Sequence, residues 1–134
     1  MTRAAALVLA IALGGCATLP RACPPGEHAA WEAQLVFGRN IDGRPGVSDA
    51  DFQSFVDAEL TPRFPDGLTV IDATGQWRGG VGRVEREASK LVMLVLPDRS
   101  TASLARLDAV RAAYKARFHQ ESVMILGQPV CAGF

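Results

Sequence analysis

Leu91-Val92-Met93-Leu94-Val95-Leu96 is apolar without a break, bounded by Lys90 on one side and Pro97-Asp98 on the other. A strand sends alternate side chains to opposite faces, so a run with no polar member is apolar on both. Such a strand belongs in the middle of a sheet, with partners on each side. The chain must therefore supply flanking strands and something to cover the sheet.

The neighbouring segments meet that demand. Trp31 to Gly38 reads as a strand with the buried triplet Leu35, Val36 and Phe37. Asn40 to Gly46 reads as a loop. Ser48 is a good N-cap, and Asp51 three residues on resembles a capping box. The helix it opens runs from Asp49 to Leu60 with Phe52, Phe55, Val56 and Leu60 as its apolar stripe, and Pro62 stops it. Pro65-Asp66-Gly67 is a turn. Leu68 to Asp72 is a strand that can continue to Trp77. Gly79, Gly80 and Gly82 form a hairpin tip. Val84 returns into the central strand. Ser100 or Thr101 caps a second helix, with Leu104, Leu107, Val110, Tyr114 and Phe118 on one face. Ser122 to Leu126 is the last strand, and Cys131 lies in a tail beyond it. The order β-α-β-β-α-β is the ferredoxin-like split βαβ arrangement of the α+β class. It predicts a four-stranded antiparallel or mixed sheet, the first and third strands in the middle, and two helices on one face. The other face carries apolar residues and needs a cover. A second copy of the chain, giving a homo-oligomer through the open sheet face, is the simplest one.

Ahead of this domain stand Arg3, the apolar run Ala4 to Leu13, and Gly14-Gly15-Cys16. The run is shorter than the roughly 20 residues a membrane-spanning helix needs. A positive start, a short apolar core and small residues before a cut are the layout of a secretory signal over residues 1–15. Cysteine directly after the cut resembles the lipobox of bacterial lipoproteins. That resemblance implies a lipidated Cys16, a lipidated tether over 16–30, and the membrane as a partner through the N-terminal lipid. Ala17 rather than Asp after the cysteine implies the outer membrane, facing the periplasm. The single domain then spans 31–134. Without residues 1–15 the chain has 119 residues, with 13 Lys and Arg against 14 Asp and Glu. A basic patch or stripe would mark a nucleic-acid binder, and this balance argues against nucleic acid as a partner. Cys23 and Cys131 are the two remaining thiols, and in an oxidising compartment they are expected to form a disulfide.

Signatures of known chemistry are missing. No Ser-His-Asp, HExxH, phosphate-loop or dinucleotide motif occurs. His28 and His119 have no ligand-like spacing to either cysteine, so neither a metal nor a cofactor is expected, and no catalytic residue is assigned. Polar and aromatic residues gather at element ends instead. The topology is read as bringing Arg39, Arg63 and Asp66 together, with Asn40 close by. Trp77, Arg78, Glu87 and Lys90 form a separate cluster at the hairpin base, and Glu121 opens the last strand. These candidate ligand-binding residues leave two readings open. One is a binding or assembly module without catalysis. The other is a small envelope enzyme on an anionic substrate, held by Arg39 and Arg63 through bidentate bonds, with Asp66 or Glu121 as acid or base.

Five stretches carry a wider resemblance: Leu35 to Asn40, Thr61 to Val70, Gly75 to Arg78, Arg86 to Lys90, and Gln120 to Val123. Over Trp31 to Val123 the chain resembles a family of small bacterial secreted or lipid-anchored proteins named as domain of unknown function 3574. The resemblance implies an envelope setting and brings no activity or catalytic residue with it.

Overall fold

A computed structural model describes residues 22–78 and 82–134. The expected signal over residues 1–15, the expected lipidation site Cys16 and the tip residues Gly79 and Gly80 lie outside the described residues. Strand β1 is His28–Gly38. A small hairpin follows, β2 (Asn40–Ile41) and β3 (Arg44–Pro45), and then helix α1 (Asp49–Phe55). A π-helical turn Val56–Leu60 extends α1. Strands β4 (Thr69–Arg78) and β5 (Val84–Leu96), helix α2 (Thr101–Phe118) and strand β6 (Met124–Ala132) complete the chain. The sheet order is β4-β5-β1-β6 with every pair antiparallel, so β1 and β5 occupy the centre, where their apolar content puts them.

One sheet face is covered. Ala33, Leu35 and Phe37 of β1 and Val92, Leu94 and Leu96 of β5 meet Phe52, Phe55 and Leu60 of the first helical segment and Leu107, Val110, Tyr114 and Phe118 of α2. The Ser48 hydroxyl accepts from the Asp51 N–H at 3.1 Å, and the Asp51 carboxylate accepts from the Ser48 N–H at 3.2 Å, so the capping box is complete. The α-ladder stops at Phe55 and gives way to the wider turn, with Thr61 N–H on the Val56 carbonyl at 2.9 Å. Pro62 accounts for the widening: in a regular α-turn its ring would press on the carbonyl four residues back. Ser100 caps α2, and His119 ends it in the left-handed conformation at φ 53°.

Two segments differ from expectation. Asn40 to Gly46 holds the β2–β3 hairpin, because Asp42 (φ 51°) and Gly43 (φ 73°) supply the pair of positive φ values that a two-residue turn requires. The last strand begins at Met124 rather than Ser122 and continues to Ala132, so Cys131 sits in β6 opposite Ala29 and not in a tail. The same pairing starts β1 at His28, ahead of Trp31.

Candidate functional site

Two regions of the molecule gather polar or exposed groups. At the Gly38 end of the sheet, Lys90 points from β5 towards the helices. Its ammonium bonds the Asp49 carboxylate at 2.7 Å and also that of Asp72, its cross-strand partner. Arg39 adds an ion pair to Asp49 at 3.1 Å and donates through Nε to the Val47 carbonyl at 2.8 Å. The hydrogen bond from Lys90 and the positive charge of Arg39 hold the Asp49 carboxyl below its usual pKa. Donating to Asp49 and Asp72 raises the pKa of Lys90. The arrangement pins the first turn of α1 to the sheet and occupies both cations internally.

On the opposite face, the Glu87 carboxyl lies over Gly38 and accepts from the Asn40 N–H at 3.1 Å. A Cβ at Gly38 would stand 2.9 Å from the Glu87 carboxyl carbon, so glycine is required for this approach. The Tyr114 hydroxyl donates to the Gly38 carbonyl at 2.8 Å, and the Gln120 amide donates to the Asn40 carbonyl. Burial raises the pKa of Tyr114 and, against its backbone bonds, that of Glu87. Because the folded protein keeps the Glu87 proton to higher pH than the unfolded chain, this group's contribution to stability is present in acid and falls as pH rises through the raised pKa. Glu87→Gln retains an acceptor for Asn40. It is expected to melt above the parent at about pH 7 and with it at about pH 4. Thermal melts at both values check this, and an equal offset at both would contradict it.

Arg39 and Arg63 do not converge. Arg39 N–H bonds the Ala88 carbonyl, whereas Thr69 pairs with Met93, five residues and about 16 Å further along β5. The expected convergence fails because β1 and β4 are both antiparallel to β5 and so parallel to each other. The end of β1 therefore lies beside the second half of β4, not its start. Arg63 binds the Glu59 carboxylate at 2.7 Å and the Glu59 carbonyl at 2.8 Å, and its own carbonyl accepts from Arg106 at 3.2 Å. Asp66 borders a hollow near the β4 start. Lys90 and Asn40 join Arg39, while Trp77 and Arg78 stand further out on the hairpin. Glu121 is exposed in the turn before β6. Among the described residues, no cluster of His, Cys, Asp or Glu is placed to hold a metal. Cys23 and Cys131 are joined in a disulfide with Cα atoms 5.5 Å apart.

The second region is the sheet face away from the helices. Alternation along the ladders places Val36, Leu91, Met93, Val95, Ile71, Met124 and Leu126 on it. Met124 and Leu126 keep 52% and 54% of their surface exposed, and Ile71 44%. The hollow beside Asp66 has a volume of about 580 Å³ and is lined by Leu68, Thr69, Met93 and Val95 among others. Described strand residues give this face Glu32, Glu85 and Glu87 but no Lys or Arg. Gln34 and Gln128 donate to Glu32 at 2.6 and 2.9 Å, and these bonds keep its carboxyl below the usual pKa. Sequence reasoning found the open face but not its single sign of charge, which the alternation of Glu32, Glu85 and Glu87 could have given.

The fold is shared with a phage S-adenosylmethionine lyase in complex with S-methyl-5'-thioadenosine. That likeness has 14% identity and a TM-score of 0.61, over 87% of this chain and 97% of that one. The apo lyase gives 16% identity and a TM-score of 0.58 over 79% and 90%. CutA from Synechococcus elongatus gives 13% and 0.53 over 80% and 83%. At these identities the likeness is one of fold alone. No curated protein matches the chain. Residues 32–134 match the family described as Protein of unknown function (DUF3574), and the chain belongs to that family.

Proposed function

We propose that this protein is a lipid-anchored module of the cell envelope that works by assembly, with its open sheet face covered by a second copy. The observation that carries the reading is that face: a continuous apolar stripe across four strands, left without a helix layer. Isolated exposed apolar residues are ordinary, but a contiguous patch of this kind marks an interface. The face measures roughly 19 by 26 Å from strand spacing and residue rise, about 500 Å² in projection, so it forms the core of an interface whose rim must bring the total to the roughly 800 Å² that each partner of a standard complex contributes. The disulfide favours an oxidising compartment, and the residues before it have the order of a lipoprotein signal. Lipid on Cys16 would hold the domain at the outer membrane, with the open face free to meet its neighbour.

The alternative, catalysis on an anionic substrate clamped by Arg39 and Arg63, loses its geometric support, since those side chains are engaged at opposite ends of the molecule. The test of the assembly reading is an exported Cys16→Ser protein. It is expected to leave the membrane fraction and to scatter light as a discrete multiple of the chain mass. Retention in the membrane pellet would defeat the lipid anchor. A strictly monomeric species would defeat the assembly.

A further inference from the structure

The sheet has two edges, and they are finished differently. On β6, Pro129 removes a backbone N–H, and the Cys23–Cys131 bond ties the end of the strand to the segment before β1. β4 has no such device. It runs from Thr69 to Arg78, pairs with β5 residue for residue without a bulge, and contains neither Lys nor Pro. No strand flanks its outer side among the described residues. The helix layer stops short of it as well: Val70 on the helix side is 39% exposed, and Ile71 and Trp77 on the open side are 44% and 43% exposed. A long, unbroken edge that carries β-branched and aromatic side chains is a template for a further strand.

The sequence of β4 is complementary to itself. Two copies related by a two-fold axis normal to the sheet pair their β4 strands antiparallel, and residues opposite each other then point to the same side. With the axis at Thr74, Ile71 of each copy meets Trp77 of the other on the open side. An aromatic residue against a β-branched one is a favourable cross-strand pair, and here it occurs twice. Glu85 and Glu87 share that side but stand on β5, one strand away, and the facing β4 brings no charge there. On the helix side, Asp72 meets Gln76 of the second copy. Asp72 bonds Lys90 yet keeps 84% of its side chain exposed, and Gln76 accepts from Arg86 at 2.7 Å, which leaves its amide N–H groups to donate. The carboxylate and the amide thus meet across the joint between two cations. Moving the axis to Ala73 sets Trp77 against Thr69, and moving it to Gly75 sets Trp77 against Ala73, so either shift loses both apolar pairs. We propose that β4 is a docking edge for β4 of a second copy, joined antiparallel about Thr74 so that two four-stranded sheets become one. The inference goes beyond the face contact above: in such a pair both open faces point the same way, and stacking two pairs covers them all.

The exported Cys16→Ser protein carries the test. Thr74→Lys sets two like charges against each other on the axis and is expected to halve the mass seen by light scattering, with an unchanged far-ultraviolet circular dichroism spectrum. Thr74→Cys is expected to give a disulfide-linked dimer on a non-reducing gel, because opposed residues of an antiparallel pair have Cα atoms about 4.5–5.5 Å apart, within disulfide reach. Gln76→Cys stands about 13 Å along the strand from its equivalent and should stay unlinked. A Thr74→Lys protein of parental mass, or a Thr74→Cys protein that links no better than Gln76→Cys, overturns the edge contact. The face contact has its own readout: Leu126→Glu should halve the mass and leave the Thr74→Cys link in place. If the link forms and Leu126→Glu changes nothing, the edge stands and the face reading fails. If no link forms and Leu126→Glu gives monomers, the reverse holds. A monomeric parent overturns both.

Discussion

Phe37→Ala is expected to destabilise the fold by about 3–5 kcal/mol, the range for emptying a large aromatic site in a packed core. Phe37 is fully buried on central strand β1. Its ring centroid lies 4.7 Å from Tyr114, 5.5 Å from Phe52 and 5.9 Å from Phe55, each in edge-on contact. It therefore joins the sheet to both helices at once. Edge-to-face pairs add about 0.5–1.5 kcal/mol each beyond area burial, so truncation removes several favourable terms and leaves a cavity that no neighbour can fill without moving a helix. A domain of this size has roughly 5–15 kcal/mol in total, so the loss is a large share of the whole. Urea titration reads the result as a lower midpoint at an unchanged slope. Phe118→Ala, at the rim with 8% exposure, should cost less. Equal losses at the two positions would contradict a core centred on Phe37.

What made this core legible was periodicity. The unbroken run Leu91–Leu96 identified the central strand, and Phe52, Phe55 and Leu60 identified the buried face of α1, because burial on one side leaves a mark at fixed spacing. The continuation of β6 beyond Leu126 left no such mark. Gly127 and Pro129 read as breakers, yet both fit their places. A side chain at position 127 would meet the Trp31 indole, its Cβ 2.7 Å from Nε1, and an edge strand tolerates proline because its outer side has no ladder partner. The β2–β3 hairpin could have been found from Asp42-Gly43, a dipeptide suited to its turn. The Lys90 clamp could not. Asp49, Asp72 and Lys90 come from three elements, and only the register that sets Asp72 opposite Lys90 brings them together. The misplaced meeting of Arg39 with Arg63 was an error of direction, not of residue pattern: two strands flanking a shared antiparallel partner point the same way.

Breaking the Cys23–Cys131 bond is the second large effect expected. The bond closes a loop of 108 residues. In the chain-entropy account a loop of that length withholds enough freedom from the unfolded chain to stabilise the fold by about 4–5 kcal/mol, an upper figure because residual denatured-state structure reduces it. At about 4 °C per kcal/mol, where the ranges for smaller and larger domains meet, reduction should lower Tm by on the order of 15–20 °C. The loss should also have a place. His28, Ala29 and Ala30 pair with β6 but not with β5, whose ladder on β1 reaches only Trp31↔Leu96. Without the cross-link this corner rests on a two-stranded end at the rim of the sheet, where opening is cheapest. Hydrogen exchange of a Cys23→Ser, Cys131→Ser protein should therefore show lost protection first at Ala29, Ala30 and Val130 to Ala132, while Leu35 and Val92 remain slow. Uniform loss over the whole sheet would mean that the bond acts on the unfolded chain alone. An unchanged melt under reductant would mean that the β1–β6 ladder holds the corner without it.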